Sequence, residues 1–242
     1  ALYLPYPQRN NLYSLSEMIL ALIYPMILGL EKIEVSSLLK TNGVFQYLTG
    51  LPSFPDPTTL RRFLIRSPSD LLPFLWKTHN DLRKYFIVQP SLRSSYWLDF
   101  DSTANTLYGH QDGVVKGYNP GHPGRKSYHP LVAREAHLND CLGGLLRPGN
   151  TSSAAGVIPL FQKVHSLLPK DSMIRSRADA GFYDGNFIEE LVSKHIGFAI
   201  VAHTTAPIKR RLPGLRYRRI NDLFSVSEFQ YQPHGWKKPY RF

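Results

Sequence analysis

The stretch Tyr96-Trp-Leu-Asp-Phe-Asp-Ser-Thr103 decides how this chain is read. It is rich in aromatics and half alternating, the pattern of a strand with one buried face. Successive side chains on a strand point to opposite faces, so Asp99 and Asp101 share one. A carboxylate within such a strand is costly to bury unless it is paired or holds a metal ion. Downstream, two more strands are expected over residues 128–137 and 142–147, with turn signals at Asn139-Asp140 and Pro148-Gly149. Thr151 or Ser152 then caps a helix in which Val157, Leu160, Phe161, Val164 and Leu168 recur at helical spacing. A strand over residues 172–177 runs into Ala178-Asp179, Asp184 caps a helix with Phe187, Ile188 and Leu191 inward, and Gly197 opens a strand over 198–203. Three strands able to form an antiparallel meander, then helix, strand, helix, strand, give an α/β domain with a mixed sheet. The pattern leaves the strand order open.

Upstream of this core, residues 1–90 read as helical. Ser14 or Ser16 caps a helix through the apolar run from Met18 to Leu30. That run has 13 residues, contains Pro25 and is bounded by Glu17 and Glu31. A membrane span needs roughly 20 apolar residues, so a buried helix is expected instead. A second helix is expected over 31–48, followed by the breaker Pro52-Ser-Phe-Pro-Asp-Pro-Thr-Thr59. Behind it Leu60, Phe63 and Leu64 line one helical face, with Arg61, Arg62 and Arg66 elsewhere, and a last helix is expected over 69–84. Two readings stay open here: a small bundle with a solvated basic helix, or a helix-turn-helix-like element that lays this helix on DNA.

Composition narrows the classes. The chain has 242 residues, 29 Lys+Arg against 18 Asp+Glu, and a formal net charge of +11. At 43% hydrophobic and 12% aromatic residues, wholesale disorder is excluded. The single cysteine, Cys141, excludes a disulfide framework and a multi-cysteine metal site, which makes a reducing compartment the default. The positive excess points to nucleic acid or an anionic surface as partner. The start at Ala1 reads as a fragment or a processed product, and no secretory signal fits the N-terminal stretch.

The candidates for chemistry are acids at strand ends. Asp179 ends a strand beside Arg177 and the small residues Ala178, Ala180 and Gly181. Carboxylates so placed can share Mg²⁺, which prefers oxygen ligands, and two such ions can activate a water and stabilise a leaving oxygen. The alternative is an ion pair of Asp179 with Arg177 or Arg175, with Asp101 capping a turn. His122 and His129 lack helical zinc spacing and read as loop residues near phosphate. No Gly-x-x-x-x-Gly-Lys-Ser/Thr loop and no Gly-x-Ser-x-Gly elbow is present. Between them, Lys116, Arg125 and Lys126 interleave with Tyr118, His122 and Tyr128, a mixture suited to phosphates and unstacked bases, or else a solvated loop.

Four motifs in order carry a resemblance: Asp101-Ser-Thr103, Lys116-Gly-Tyr-Asn-Pro-Gly-His-Pro-Gly-Arg-Lys-Ser-Tyr-His-Pro-Leu131, Leu146-Arg-Pro-Gly-Asn150 and Arg177-Ala-Asp-Ala-Gly-Phe182. Together, with Pro55-Asp-Pro-Thr-Thr-Leu-Arg-Arg-Phe63 ahead of them, they resemble the DDE transposases of bacterial insertion sequences. The likeness is to the cut-and-paste group with a β-rich insertion. It implies an RNase H-like mixed sheet flanked by helices and preceded by a small helical domain. The implied division is a helical DNA-binding or assembly domain over 1–90, an incomplete catalytic core over 91–203 and the start of the insertion over 204–242. Asp101 and Asp179 would be catalytic and metal-binding, on neighbouring first and fourth strands, with Mg²⁺ as cofactor and Mn²⁺ able to substitute. The family's third carboxylate, a Glu, is expected beyond Phe242, since Glu189, Glu190 and Glu228 do not match its setting. Asp99 is not carried over as catalytic.

The resemblance further implies metal-dependent hydrolysis at element ends, then attack of the freed 3′-OH on target DNA. Lys116, Arg125, Lys126, Arg177, Lys209, Arg210 and Arg211 are the candidate phosphate contacts. Trp236 or Tyr231 would hold a flipped base in the hairpin-forming branch. Implied partners are the terminal inverted repeats, target duplex and a second copy of the chain, with no membrane, in a bacterial cytoplasm at the nucleoid. A non-catalytic DNA-binding remnant and an RNase H-like nuclease are the alternatives.

Overall fold

In the computed structural model, residues 13–51, 53–68, 71–88, 95–109 and 111–242 are described. Contacts divide the chain into two units between His79 and Asn80. Helix α1 (Leu15–Ile27) opens the first unit with a reciprocal cap. The Ser14 hydroxyl accepts from the Glu17 amide at 3.3 Å, and the Glu17 carboxylate accepts from the Ser14 amide at 2.5 Å. Met18, Ala21 and Pro25 face inward. The expected burial of the whole apolar run does not hold: Met26 and Ile27 are 73% and 71% exposed, because the helix ends there with only one face packed.

The single helix expected over 31–48 is broken into a 3-10 turn (Ile33–Ser36), α2 (Ser37–Lys40) and α3 (Gly43–Thr49). Asn42 is the reason. Its side-chain oxygen accepts from the Phe45 amide at 2.9 Å, which starts a new helix in place of continuing the old one. Helix α4 (Pro57–Arg66) carries Pro57 in its first turn, where the missing N–H costs nothing. Its Leu60 and Phe63 join Met18, Ala21, Leu39, Phe54 and Leu71 in the core of this unit. Arg61 is paired with Glu34. Helix α5 (Leu71–Val88) follows; Pro52 of the expected breaker and the expected helix start at Ser69 lie outside the described residues. Among the described residues no helix is long and apolar enough to cross a membrane.

The second unit takes in the later part of α5, then β1 (Ser95–Ser102), the short strands β2 (Asn105–Thr106), β3 (Val115–Lys116) and β4 (Lys126–Tyr128), then β5 (Leu131–Glu135) and β6 (Asp140–Leu145). Helix α6 (Val157–His165), β7 (Met173–Ala178), α7 (Gly185–Ser193) and β8 (Gly197–Ile200) complete its core. The main sheet has the order β6-β5-β1-β7-β8. β1, β5 and β6 pair antiparallel, whereas β7 is parallel to both β1 and β8. This is the expected RNase H-like mixed sheet, with the first and fourth of its strands adjacent. Tyr96, Leu98 and Phe100 send one face of β1 into a core with Phe161 and Val164 of α6 and Phe187 and Leu191 of α7. The rings of Phe161 and Phe187 meet Phe100 edge-on at 6.4 and 5.5 Å. Trp97, Asp99 and Asp101 occupy the opposite face of β1.

Several expected boundaries move: the strand expected over 142–147 is Asp140–Leu145, and the one expected over 198–203 ends at Ile200. The strand expected over 128–137 is divided at His129-Pro130, where proline offers no N–H to a ladder. The helix expected from Thr151 or Ser152 starts only at Val157, behind Gly156. The carbonyls of Ser152, Ser153 and Ala155 accept from the Arg147 guanidinium and so hold residues 151–156 in a turn. Beyond the sheet lie α8 (Ala206–Arg211) and two ribbons, β9 (Arg218–Arg219) with β10 (Ser225–Val226), and β11 (Gln230–Tyr231) with β12 (Tyr240–Arg241).

Candidate active site

The register of β1 against β7 builds the site. Trp97 pairs with Arg175, Asp99 with Arg177 and Phe100 with Ala178, so the next step along both strands sets Asp101 beside Asp179. Neighbouring strands lie about 5 Å apart, so the two residues stand at the C-terminal ends of adjacent inner strands, at one end of the sheet. Both residues are exposed. Asp179 is held in place by its own turn: its Oδ1 accepts from the Gly181 amide at 2.9 Å, and Phe182 anchors that turn in the core. Only glycine fits at 181. A Cβ there would lie 2.7 Å from the Ser153 Cβ and 3.0 Å from Asp179 Oδ1.

Arg177 does not pair with Asp179. It forks onto Asp99, donating from Nε at 2.8 Å and from Nη2 at 2.7 Å, and that bond raises its pKa. Arg175 and Arg177 both lie over the Trp97 ring, at 5.3 and 5.1 Å from its centroid. Asp99 thereby takes up the nearest arginine, and among the described residues no ion pair involves Asp101 or Asp179. No third His, Cys, Asp or Glu among the described residues joins them in a cluster. Two exposed carboxylates are hard oxygen donors that suit Mg²⁺ or Mn²⁺, ions that complete their shells with water.

The basic candidates fall into separate groups. Lys116 and Lys126 face each other across β3 and β4, and Arg125 stands over Tyr108 with 5.6 Å to the ring centroid. Lys209, Arg210 and Arg211 end α8. Arg211 also donates to the Gln230 carbonyl at 3.1 Å and lies over Tyr231. The two histidines read as loop residues near phosphate have packing partners instead. His122 Nδ1 sits 3.2 Å from Thr106 Oγ1, and the buried His129 donates from Nδ1 to the Thr151 carbonyl at 2.7 Å. Trp236 stacks on Tyr183 at 4.9 Å, and Tyr231 meets Phe242 at 5.4 Å.

Arg147 and Asn119 stood inside the quoted motifs without a role of their own, and Ser153 and Tyr108 were not singled out. The available signal was weak: an arginine ahead of Pro148-Gly149, and an asparagine inside a Gly/Pro-rich loop. Both side chains are buried and hold loops next to the candidate site.

No curated protein matches this chain. Among solved structures it is similar to a piggyBac transposase synaptic complex with hairpin DNA, at 15% identity and a TM-score of 0.46, over 99% of this chain and 54% of that one. A Drosophila P element transposase strand transfer complex follows at 13% identity and a TM-score of 0.33, over 75% of this chain and 44% of that one. A Mos1 mariner paired-end complex with Mn is similar at 11% identity and a TM-score of 0.30, over 87% and 66%. The chain thus spans about half the length of the first two proteins. The family profile described as Transposase DDE domain group 1 matches residues 4–242. With that match over nearly its whole length, the chain belongs to the group 1 DDE-domain transposase family.

Proposed function

We propose that Asp101 and Asp179 are catalytic carboxylates of a DNA transposase, which cleaves phosphodiester bonds at the ends of its element and joins them to target DNA. The observation that carries this reading is the parallel β1–β7 register, whose last pair, Phe100 with Ala178, comes one residue before each of the two exposed acids. A divalent cation held between two such acids would neutralise their charge. When bound, Mg²⁺ or Mn²⁺ supplies an activated water and charge stabilisation at the leaving oxygen. The protein's part is geometric: the β1 backbone aims Asp101, the Gly181 amide orients Asp179, and Asp99 keeps Arg177 from neutralising the pair.

Lys116, Arg125, Lys126, Lys209, Arg210 and Arg211 supply exposed cations for phosphates of the element ends and target duplex, and Arg177 keeps a half-exposed guanidinium for the same use. Joining two ends calls for two copies of the chain on the DNA, in the compartment that holds the DNA. The helical segment up to about residue 90 serves DNA binding or assembly, and residues from 204 belong to the insertion. A second reading, DNA binding without catalysis, is favoured by one observation: no third acid among the described residues stands with Asp101 and Asp179.

Mn²⁺ binding to the 242-residue chain, followed by the resonance of the free ion, tests the metal role, and nicking of supercoiled DNA tests catalysis. Ion uptake lost in both Asp101→Asn and Asp179→Asn is expected. Uptake unchanged in both variants overturns the assignment. Uptake and DNA binding without nicking selects the second reading.

A further inference from the structure

We infer that the small sheet β2-β4-β3 is a binding site for an unpaired DNA strand, with Lys116, Lys126 and Arg125 on its phosphates and Tyr108 stacked on a base. The inference deepens the DNA-processing reading and rests on it. Lys116 and Lys126 are direct cross-strand partners on adjacent antiparallel strands. Like charges set opposite each other destabilise a ladder, so this arrangement costs stability when the site is empty. Arg125 adds a third cation to the same open hollow, which measures about 480 Å³ and is also lined by Leu107, Tyr108 and Pro123. None of the described residues that line it is acidic. An anion is what the fold leaves room for.

The hollow is preformed. Asn119, only 6% exposed, donates to Thr106 Oγ1 at 2.8 Å and accepts from the His122 amide at 3.1 Å. Gly117 rests against the backbone of Gly149, where any Cβ would collide with the carbonyl. These contacts fix the start and the middle of the loop that delivers Arg125, so less ordering entropy remains to be lost on binding. Tyr108 is 70% exposed and has the Arg125 guanidinium over its ring. An exposed ring within a cationic hollow gains nothing from a duplex, whose bases are already stacked. It gains from an unpaired base, whose face is free. Free phosphate would satisfy the lysines and leave the tyrosine idle.

The test is fluorescence anisotropy of a labelled oligothymidylate and of a hairpin duplex with the 242-residue chain in EDTA, where no metal chemistry contributes. Tyr108→Leu is expected to weaken oligothymidylate binding about 5- to 100-fold while duplex binding stays within about twofold. The double variant Lys116→Gln, Lys126→Gln is expected to lower the salt slope of single-strand binding by about 1.4. It is also expected to raise the melting temperature by about 1–3 °C, since a repulsive pair is removed. A gain in stability with a loss in binding separates a ligand role from a structural one. Oligothymidylate affinity unchanged by Tyr108→Leu overturns the base contact, and inorganic polyphosphate competing equally against both forms then identifies a phosphate-only site. A double variant that binds as tightly as the wild type, or melts lower, overturns the phosphate contact. In the Asp101→Asn, Asp179→Asn background Tyr108→Leu is expected to weaken oligothymidylate binding by the same factor, so failure of the catalytic reading and failure of this site give different results.

Discussion

Arg147 links a buried charge to the geometry of Asp179. Its guanidinium is 7% exposed and donates from Nε to the His129 carbonyl at 2.8 Å and from Nη1 to the Ser152 and Ser153 carbonyls at 3.1 and 3.0 Å. No acid neutralises it among the described residues, and burial lowers its pKa. A cation is tolerated there because carbonyl dipoles surround it. The same carbonyls belong to the turn whose Ser153 abuts Gly181, and Gly181 donates to Asp179. Replacing Arg147 with Met strands several buried carbonyls and is expected to cost about 2–4 kcal/mol of stability. It should also weaken Mn²⁺ uptake at Asp101 and Asp179, with Arg147→Lys intermediate because one ammonium cannot span carbonyls on both sides. Urea unfolding beside Mn²⁺ titration checks this. Stability lost with ion uptake unchanged would mean that the turn does not position Asp179.

The two helices on the core face of the sheet carry a pH-sensitive contact. His165, at the end of α6, has a lowered pKa, chiefly from burial and then from Lys194, with Glu190 opposing; its ring lies 5.5 Å from that of Phe161. The unfolded chain therefore takes up this proton before the folded one does. Stability is full above pH 6.5 and falls as pH drops from there through the lower folded value. His165→Gln should flatten that part of the stability curve; urea midpoints at several pH values read the difference, and parallel curves for both proteins would exclude the effect. The helix and strand cores themselves were legible, because Tyr96, Leu98 and Phe100 alternate and Phe187, Ile188 and Leu191 recur at helical spacing. Their limits were less so. The start of α6 depends on Arg147 claiming carbonyls across the fold, and the break before α3 on one Asn42 bond. Local pattern does not report which tertiary group takes a backbone acceptor.

For the molecule as a whole, Asp101 and Asp179 were legible as candidates because each stands at a strand end, but pattern left the strand order open, and only the family resemblance implied the neighbouring strands that the parallel β1–β7 register shows. The opposed pair Lys116 and Lys126 was hidden for a related reason: it forms only when the intervening loop folds back on itself. The excess of +11 likewise becomes meaningful only once pairing is known. Several cations are taken up by acids, as in Lys40 with Asp56, Arg83 with Asp140, Arg177 with Asp99 and Lys237 with Glu189. Lys116, Arg125, Lys126, Lys209, Arg210 and Arg211 have no acidic partner among the described residues and are all exposed. If each meets a phosphate, the logarithm of the affinity for a duplex with an unpaired tail should fall with the logarithm of salt concentration at a slope of roughly −5. Between 50 and 200 mM salt that slope corresponds to a loss of about a thousandfold. Replacing Lys209, Arg210 and Arg211 with Gln should bring it to roughly −2 without changing Mn²⁺ uptake, because α8 carries neither of the proposed ligands. Filter binding across a salt series measures both slopes. A wild-type slope near −1 would mean that these cations are a solvated surface and that the chain's positive charge does not serve DNA.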